Sequence, residues 1–300
     1  MSQAVFERLA IIGLGLIGSS LARRVMADRS PAGPILAREL VAFDASAEVR
    51  LRARELGLAD LVADDLAASV AGAEAVILCT PVGALGAVAG EIMPHLAQGA
   101  ILSDVGSTKQ TVLREVLPIL RPDIPLVPGH PLAGTEFSGP DAGFSTLFEG
   151  RWCLLTPPEG TDPLAIERIE RFWHGCGART RTMDAAHHDR VLAIVSHLPH
   201  LLAFTICGTA DDLADETRQE VLEFAASGFR DFTRIAASDP VMWRDIFLSN
   251  RDALLEMLAR FTEDAQAMAR AIRWGDESFI VDRIERGRAI RRSLIELKQS

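Results

Sequence analysis

The sequence predicts an α/β fold with a doubly wound, mostly parallel sheet, followed by an all-α domain. Up to about residue 183, short apolar segments alternate with helical patterns, which requires crossover connections between parallel strands. A glycine-rich turn follows the first segment, as it does where such sheets bind ligands. From residue 184 onward, apolar residues recur only at helical spacings. We therefore place a sheet domain at residues 1–183 and a helical domain at residues 184–300.

Six apolar segments in the first domain have the length and composition of buried strands. A stretch rich in proline and glycine, Ser30 to Pro34, predicts a surface loop that lengthens the first crossover. The strand candidates are residues 9–12, 40–43, 75–79, 100–103, 126–127 and 152–155.

The composition is that of a globular protein with a sizeable core. Of 300 residues, 48% are hydrophobic and 24% are charged, and the net charge is −10. Nucleic acids and anionic membranes attract broad basic surfaces, so this charge argues against both as main partners. The apolar run at residues 9–17 is too short to span a bilayer and lacks a signal-peptide cleavage site. Four widely spaced cysteines predict buried, reduced thiols in a cytoplasmic protein.

A Gly-x-Gly-x-x-Gly motif lies directly after the first strand candidate. Its glycines allow, in order, a tight turn, close approach of a pyrophosphate, and close packing of helix on strand. The N-terminus of the following helix offers free N–H groups to phosphates. The motif predicts a Rossmann-type dinucleotide-binding domain. Its candidate cofactor-binding residues are Gly13, Gly15, Leu16, Ile17 and Gly18.

Three further loops are expected to face the cofactor, because ligands bind outside the carboxyl ends of strands in such sheets. Asp44 ends the second strand, where a carboxylate can accept both hydroxyls of the adenosine ribose. A carboxylate repels the 2′-phosphate of NADP, and no arginine immediately follows Asp44, so we predict NAD as the cofactor. Thr80 and Pro81 follow the strand at residues 75–79 and are also candidate cofactor-binding residues.

The next loop contains Ser107 and Lys109. Ser107 is either a hydrogen-bonding group for substrate or nicotinamide, or the N-cap of a helix at residues 111–117. Lys109 is either a catalytic base, which would need desolvation, or an ordinary lysine in the first turn of that helix.

His130 lies between a glycine and a proline in Gly129-His130-Pro131-Leu132-Ala133-Gly134-Thr135-Glu136. This motif predicts a histidine on a rigid, bare turn at the mouth of a strand. Imidazole has the side-chain pKa nearest neutrality, so a small shift makes it a usable base. His130 is therefore the candidate catalytic base.

A second group of histidines lies early in the helical domain, in Ser196-His197-Leu198-Pro199-His200. His197 and His200 share one helix face, and Pro199 between them is expected to disturb the helix. Core histidines bonded to backbone, a zinc site, and a polar site cut into an apolar wall are all compatible with the pattern. Because no third ligand has suitable spacing, we predict no metal.

Arginines follow in Gly228-Phe229-Arg230-Asp231-Phe232-Thr233-Arg234. Arg234 is a natural bidentate partner for a substrate carboxylate. Arg230 and Arg244 have neighbouring aspartates and are expected to form structural ion pairs. Trp243 is expected to pack, either within the chain or at a subunit interface.

Together and in this order, these motifs resemble the prephenate/arogenate (cyclohexadienyl) dehydrogenase family of tyrosine biosynthesis. The resemblance covers most of the chain, and its specific part is the His130 motif combined with the motif from His197 to His200. It implies a dinucleotide-binding domain and a helical domain that forms a homodimer. It also implies NAD-dependent oxidative decarboxylation of a small dicarboxylate or amino-acid substrate, prephenate or arogenate.

The resemblance also implies roles for residues. His130 would accept the hydroxyl proton during hydride transfer, and Ser107 would be the active-site serine. One departure is Ala226-Ser227-Gly228, where many members carry a glycine run, and it is expected to alter the pocket near Arg234. The residues implied to bind substrate are Thr135, Ser196, His197, His200 and Arg234.

Two alternatives remain open. A 3-hydroxyacid dehydrogenase joins similar domains but relies on a lysine in the helical half, where this chain has only Lys298. A catalytically silent NAD-binding dimer acting as a sensor would not need His130, Ser107 and Arg234. The choice between the keto side chain of prephenate and the amino side chain of arogenate is also open. We recognise no regulatory segment and expect a monofunctional enzyme.

Overall fold

The computed structural model describes residues 4–27, 35–135, 137–213 and 215–296. The chain divides into two compact units, Met1–Arg251 and Asp252–Ser300. The first unit holds the sheet and all of the predicted site residues. The loop expected at Ser30 to Pro34 lies outside the described residues, as do Glu136 and Lys298.

Within the described residues, eight strands form one sheet in the first unit. They are β1 (Phe6–Ile12), β2 (Ala37–Phe43), β3 (Leu61–Val62), β4 (Ala75–Leu78), β5 (Ile101–Asp104), β6 (Leu126–Pro131), β7 (Trp152–Leu155) and β8 (Arg179–Thr182). The spatial order is β3-β2-β1-β4-β5-β6-β7-β8. Every neighbouring pair is parallel except β6 and β7. The predicted doubly wound, mostly parallel sheet is therefore confirmed.

The sixth strand is longer than its apolar segment predicted. β6 continues through Pro128 and carries His130 inside the strand, so the bare turn expected at this histidine is wrong. Antiparallel pairing with β7 explains the extension. The carbonyl of Pro128 accepts from the N–H of Thr156 at 2.9 Å, a bond that needs no N–H on the proline. His130 is consequently only 8% exposed.

Two strands were not predicted, β3 because it is too short to show a hydrophobic pattern and β8 because it is polar. β3 has two residues, and β8 is an Arg-Thr-Arg-Thr segment whose side chains are largely exposed. Both lie at the ends of the sheet, where one side of the strand has no neighbour. Hydrophobic periodicity detects buried strands but does not detect strands of this kind at the edges of a sheet.

The helices of the described residues alternate with the strands as far as β8, and only helices follow β8. They are α1 (Leu16–Ala27), α2 (Ala47–Glu55), α3 (Leu66–Val70), α4 (Val82–Ile92), α5 (Gln110–Val116), α6 (Pro163–Gly175), α7 (Ala185–Leu192), α8 (Leu198–Asp211), α9 (Asp215–Glu223), α10 (Ser227–Thr233), α11 (Pro240–Ser249), α12 (Arg251–Trp274) and α13 (Glu277–Glu296). After β8 no further strand occurs in the described residues, so the predicted change to an all-helical pattern is confirmed.

Apolar side chains fill two separate layers, one on each face of the sheet. On one face Leu21 of α1 and Trp173 of α6 are completely buried against β1. On the other face Leu85 of α4 and Val112 of α5 pack on the central strands. Helices on both faces leave the carboxyl ends of the parallel strands as the edge where ligands bind.

One long helix begins the helical part of the chain. α7, a π-helical turn at Ala193–His197, and α8 are continuous from Ala185 to Asp211. Pro199 lies in the first turn of α8, and the expected disturbance takes the form of the π-helical turn just before it. By length and composition alone, this helix is the one described segment able to cross a membrane. Its buried His188 bonds instead to neighbouring protein groups.

All four cysteines carry free thiols. Cys153 and Cys176 are buried, as predicted, whereas Cys79 and Cys207 are half-buried.

Candidate active site

Two of the three glycines in the turn after β1 are required by the protein's own backbone, and the third is not. Gly13 has a φ of +98°, and an added Cβ would lie 2.7 Å from the carbonyl group of Cys79. A Cβ on Gly18 would lie 1.9 Å from the carbonyl oxygen of Gly13. At Gly15, by contrast, no described atom lies within 4 Å of an added Cβ. The protein's own packing does not require Gly15, and its open side leaves room for a ligand phosphate.

The amino-terminal end of α1 directly follows this open side. Leu16 and Ile17 form its first turn and are half-buried. Their N–H groups lie at the positive end of the helix dipole, which favours an anion such as a pyrophosphate.

Asp44 holds the glycine turn from the end of β2. Its Oδ2 accepts from the N–H of Leu14 at 2.8 Å, and its Oδ1 accepts from the N–H of Ser46 at 2.9 Å. Each carboxylate oxygen keeps a further lone pair for a ribose hydroxyl. Arg50 donates to the Asp44 carbonyl oxygen at 2.7 Å and lies 3.5 Å from the Asp64 carboxylate.

Thr80 and Pro81 precede α4 at the carboxyl end of β4. Oγ1 of Thr80 is buried and has no hydrogen-bond partner in the described part of the chain. A buried hydroxyl without a partner costs free energy, so a ligand group is expected to complete it. This hydroxyl, the open side of Gly15 and the Asp44 carboxylate together fit NAD.

Lys109 is completely buried beneath the site. Its Nζ donates to Oδ2 of Asp104 at 2.5 Å and to the Gly129 carbonyl oxygen at 2.6 Å. Burial raises the pKa of the Asp104 carboxyl, and the ammonium of Lys109 opposes that rise. Lys109 therefore ties the end of β5 to the residue before His130. Lys109 is therefore not an ordinary, solvated lysine in the first turn of a helix.

The helix after this loop is capped from a distant part of the chain. α5 begins at Gln110, and the N–H groups of Lys109 and Gln110 donate to the Asp189 carboxylate at 2.8 and 2.9 Å. Ser107 is half-buried and does not cap α5, so the N-cap alternative for Ser107 is wrong. Its hydroxyl makes no hydrogen bond with any described residue and is left for a ligand.

Asp189, His188 and His130 form a chain of hydrogen bonds. Nδ1 of His188 lies 2.8 Å from Oδ1 of Asp189, and Nε2 of His188 lies 2.9 Å from Nδ1 of His130. Burial acts to raise the pKa of Asp189, but hydrogen bonds from His188 and two backbone N–H groups outweigh it and lower that pKa. Asp189 is therefore a carboxylate that accepts the Nδ1–H of His188.

The carboxylate fixes the positions of the protons along the chain. Since Nδ1 of His188 donates, its Nε2 accepts from Nδ1–H of His130, and the lone pair of the His130 ring lies on Nε2. Burial lowers the pKa of His130 well below its ordinary value, and repulsion from His188 and Lys109 adds to that effect. Burial also lowers the pKa of His188. Both rings are neutral, and His130 presents an acceptor nitrogen.

His197 continues this polar cluster on the π-helical turn. Its Nδ1 lies 3.0 Å from Nδ2 of Asn250, which also lies 2.8 Å from the Asp189 carbonyl oxygen. Burial lowers the pKa of His197 to about 4. Its Nε2 is buried without a hydrogen-bond partner among the described residues.

His200 lies one turn further along the same helix. Its Nδ1 donates to the Ser196 carbonyl oxygen at 2.9 Å, so the expectation of a backbone-bonded histidine holds for His200. Its ring stacks on Trp243 with 3.7 Å between centroids. Burial lowers the pKa of His200, and the nearby charge of Arg234 adds to this. Trp243 is 6% exposed and therefore packs within the chain.

The two histidines of the possible zinc pair have separate partners, and no group of three metal-binding side chains occurs in the described chain.

Thr135 is exposed on the loop after β6, where its Oγ1 accepts from the N–H of Phe137 at 3.3 Å. Arg234 is exposed. Arg244 pairs with Asp245 at 2.7 Å, as predicted, whereas the pair expected for Arg230 is not found among the described contacts.

Sequence reasoning missed three residues of this cluster and left the role of a fourth, Lys109, open. His188 and Asp189 were available as a His-His-Asp sequence, and Lys109 is one of two lysines in the chain. Asn250 gives no local signal beyond being the only asparagine. Their roles depend on contacts between segments that are 53 to 80 residues apart.

Comparison with known proteins identifies two adjacent family matches. Residues 36–182 match the model described as prephenate dehydrogenase, nucleotide-binding domain. Residues 184–285 match the model described as prephenate dehydrogenase, dimerization domain. The cyclohexadienyl dehydrogenase of Zymomonas mobilis is 42% identical over 290 residues, covering 97% of each chain. The prephenate dehydrogenase of Bacillus subtilis is 35% identical, covering 86% of this chain and 67% of the relative.

Solved structures give the same result. The prephenate dehydrogenase of Aquifex aeolicus, in complex with hydroxyphenyl propionate and NAD⁺, superimposes with a TM-score of 0.87 at 29% identity. The match covers 98% of this chain and 99% of that chain. The arogenate dehydrogenase of Synechocystis superimposes with a TM-score of 0.80 at 25% identity, covering 95% and 99%.

Proposed function

This chain belongs to the prephenate dehydrogenase family, and we propose that it catalyses NAD-dependent oxidative decarboxylation of prephenate, arogenate or both in tyrosine biosynthesis. The observation that carries the proposal is the hydrogen-bond chain from Asp189 through His188 to His130. It leaves Nε2 of His130 as a neutral proton acceptor at the carboxyl end of β6, the edge where such sheets bind ligands.

The proposed reaction begins with oxidation of the ring alcohol. NAD⁺, when bound, accepts the hydride from the ring carbon that carries the hydroxyl. Nε2 of His130 accepts the hydroxyl proton and returns it to the same oxygen as the ring carboxylate leaves as CO₂ and the ring becomes aromatic. His130 is then neutral again. His188 and Asp189 orient His130 and stabilise the positive charge that its ring carries in between.

Substrate binding is assigned to polar groups around this base. Arg234 would hold a substrate carboxylate as a charged partner, and its position beside His200 supports this. Ser107 would orient the substrate hydroxyl, since its own hydroxyl makes no bond with the described protein. The remaining proposed contacts are Thr135, Ser196, His197 and His200.

The cofactor is NAD, and we propose that Asp44 makes the site prefer it over NADP. The carboxylate sits at the glycine turn, where it can bind ribose hydroxyls and repel a 2′-phosphate. The remaining proposed cofactor contacts are Gly13, Gly15, Leu16, Ile17, Gly18, Thr80 and Pro81.

We further propose a cytoplasmic homodimer that associates through the helical domain at residues 184–300. The match of residues 184–285 to a dimerization domain supports this. Large apolar side chains on α12 and α13 are exposed in the single chain, as expected of a surface that a partner covers. They include Ile272, Trp274, Val281, Ile284 and Ile290. Four free thiols agree with a reducing compartment.

The experiment that tests the function is NADH formation from purified protein, with prephenate and with arogenate, and with NAD⁺ and NADP⁺. We expect turnover with NAD⁺ and at least one of the two substrates, and a lower kcat/KM with NADP⁺. Binding of NAD⁺ without turnover of either substrate would instead support the silent sensor. Turnover of simple 3-hydroxyacids alone would support the other alternative.

A further inference from the structure

Asn250 is the only asparagine of the chain, and its side chain is buried between two parts of the site. It is 3% exposed and lies at the end of α11. Its Nδ2 lies 2.8 Å from the Asp189 carbonyl oxygen and 3.0 Å from Nδ1 of His197. One amide nitrogen therefore contacts both the residue that orients the base and a histidine of the substrate site.

The chemistry of these contacts settles which atoms donate. A backbone carbonyl oxygen can only accept, so the Asn250 atom beside Asp189 must be the amide nitrogen and not the amide oxygen. The same nitrogen has a second hydrogen, which points to the lone pair of Nδ1 of His197. Since a neutral imidazole carries one proton, that proton lies on Nε2 of His197.

Nε2 of His197 has no partner among the residues that the structure describes. The residue is 1% exposed, and Nε2 is buried without a hydrogen bond to any described group. It lies on the side of the ring opposite the nitrogen that Asn250 holds. Buried N–H groups in folded proteins are nearly always paired, so this N–H is expected to meet an acceptor that binds from outside.

We propose that Asn250 is a positioning residue that holds His197 with its proton on Nε2, and that this N–H donates to a carboxylate or carbonyl oxygen of the substrate. The proposal rests on the proposed function, because it assumes that the ligand is the cyclohexadienyl substrate. It assigns a direction to the hydrogen bond between His197 and the substrate. His197 donates, so the substrate group must be an acceptor and cannot be an ammonium group.

The backbone does not explain the asparagine. Asn250 has φ −108° and ψ 31°, outside the left-handed region that favours asparagine at helix ends. Other residues can adopt this conformation. The requirement at this position is therefore for a short, neutral side chain with two donors on one nitrogen, which a hydroxyl, with its single hydrogen, cannot supply.

The main test is the isosteric variant Asn250→Asp, whose carboxylate can only accept from Nδ1–H of His197. The Nε2–H form is then lost, and we expect the substrate KM to rise about 10-fold or more, because one hydrogen bond to a charged group is removed. We expect the KM for NAD⁺ to change by less than about 3-fold, since cofactor binding does not depend on this contact, whereas kcat also falls because the bond to the Asp189 carbonyl oxygen is lost. Asp239→Asn, the opposite exchange at the N-cap of the same helix, is the matched control and should leave all three constants unchanged.

A second measurement does not depend on activity. Histidine ring ¹⁵N resonances of the wild-type protein, assigned through His197→Gln, report which nitrogen of His197 carries the proton. We expect the Nε2–H form. Labelling with ¹⁵N-asparagine gives a single side-chain amide pair, from Asn250, and we expect its resonances to change in His197→Gln because the hydrogen bond to His197 is lost. An Nδ1–H form in the wild type, or an unchanged substrate KM in folded Asn250→Asp, would overturn the proposal. Absence of turnover in the wild type would overturn the proposed function and leave the proton position measurable.

Discussion

Nδ1 of His130 lies 2.9 Å from Nε2 of His188, so one neutral histidine donates to another. The second ring is held in turn by a carboxylate at 2.8 Å. In the Ser-His-Asp arrangement a carboxylate fixes the tautomer of a base in the same manner. Here an additional imidazole lies between them, and the base is directed at a substrate hydroxyl.

Replacing Asp189 with asparagine is expected to weaken the orientation of this chain. Asp189→Asn removes the negative charge that holds the Nδ1–H of His188, and its amide N–H₂ would face a backbone N–H that now donates to the carboxylate, so neither the tautomer of His188 nor the charge on protonated His130 is supported as in the wild type. We expect kcat to fall about 10²-fold or more, measured by NADH formation.

A matched control lies on the same helix. Asp184 caps α7 by accepting from the N–H of His187 at 3.0 Å, and asparagine caps a helix about equally well. Asp184→Asn should therefore keep the wild-type kcat. If Asp189→Asn also kept it, the carboxylate would have no part in orienting the base.

The open side of Gly15 gives a test of the cofactor site that separates binding from stability. Because no described atom lies within 4 Å of an added Cβ, Gly15→Ala should change Tm by less than about 2 °C. The same methyl group would obstruct the pyrophosphate, so we expect the KM for NAD⁺ to rise about 10-fold or more. Gly208→Ala, which also has open space at its Cβ, should leave that KM unchanged. An unaffected KM in Gly15→Ala would place the cofactor elsewhere.

Loss of the buried ammonium group should destabilise the sheet domain. Lys109→Met keeps the length of the side chain but leaves Asp104 without its charged partner at 2.5 Å. We expect the free energy of unfolding to fall by about 3–5 kcal/mol in urea titrations near neutral pH. Adding Asp104→Asn to Lys109→Met should restore part of this loss, because no buried carboxyl remains to be ionised. A Lys109→Met protein as stable as the wild type would contradict the account of this pair.

Stability should fall as the pH is lowered through the range in which unfolded histidine titrates. His130, His188 and His197 have pKa values below the ordinary 6.5, so the unfolded chain binds more protons than the folded one below that pH. Their contribution is complete above about pH 6.5 and is lost toward the folded-state pKa values. For His197, with a pKa of about 4, the full loss corresponds to about 3 kcal/mol.

Urea titrations between about pH 8 and pH 5 measure this effect. His197→Gln should flatten the decline, whereas His95→Gln, at an exposed histidine, should leave it as in the wild type. A midpoint that rises toward low pH would show that these histidines are protonated in the folded protein.

The sheet and its glycine turn could be predicted because they depend on local signals. Apolar segments and alternation with helices identify the buried strands, and Gly13, Gly15 and Gly18 act within one turn. The edge strands were missed, since β3 has only two residues and β8 has no apolar residue. His130 was expected on a turn because prolines normally end strands, whereas antiparallel pairing with β7 keeps it inside β6.

The site could be predicted only where its residues follow a motif. His130, His197 and His200 lie in such motifs, whereas Asn250 functions through partners far along the chain and Lys109 through its complete burial. Lys109 matters because it is buried: without water, its ammonium group needs hydrogen bonds to protein groups, here a carboxylate and a backbone carbonyl. That environment arises only when β5, β6 and α7 come together, and no local pattern encodes it.

The measurement that most directly tests the central account is steady-state NADH formation by His130→Asn with the preferred substrate. Asparagine keeps a polar group of similar size but cannot accept the hydroxyl proton. The account predicts that kcat falls by about 10²- to 10⁴-fold while the substrate KM changes little. A His130→Asn protein that retains near-wild-type kcat would show that another group is the base, and would contradict the assignment of His130.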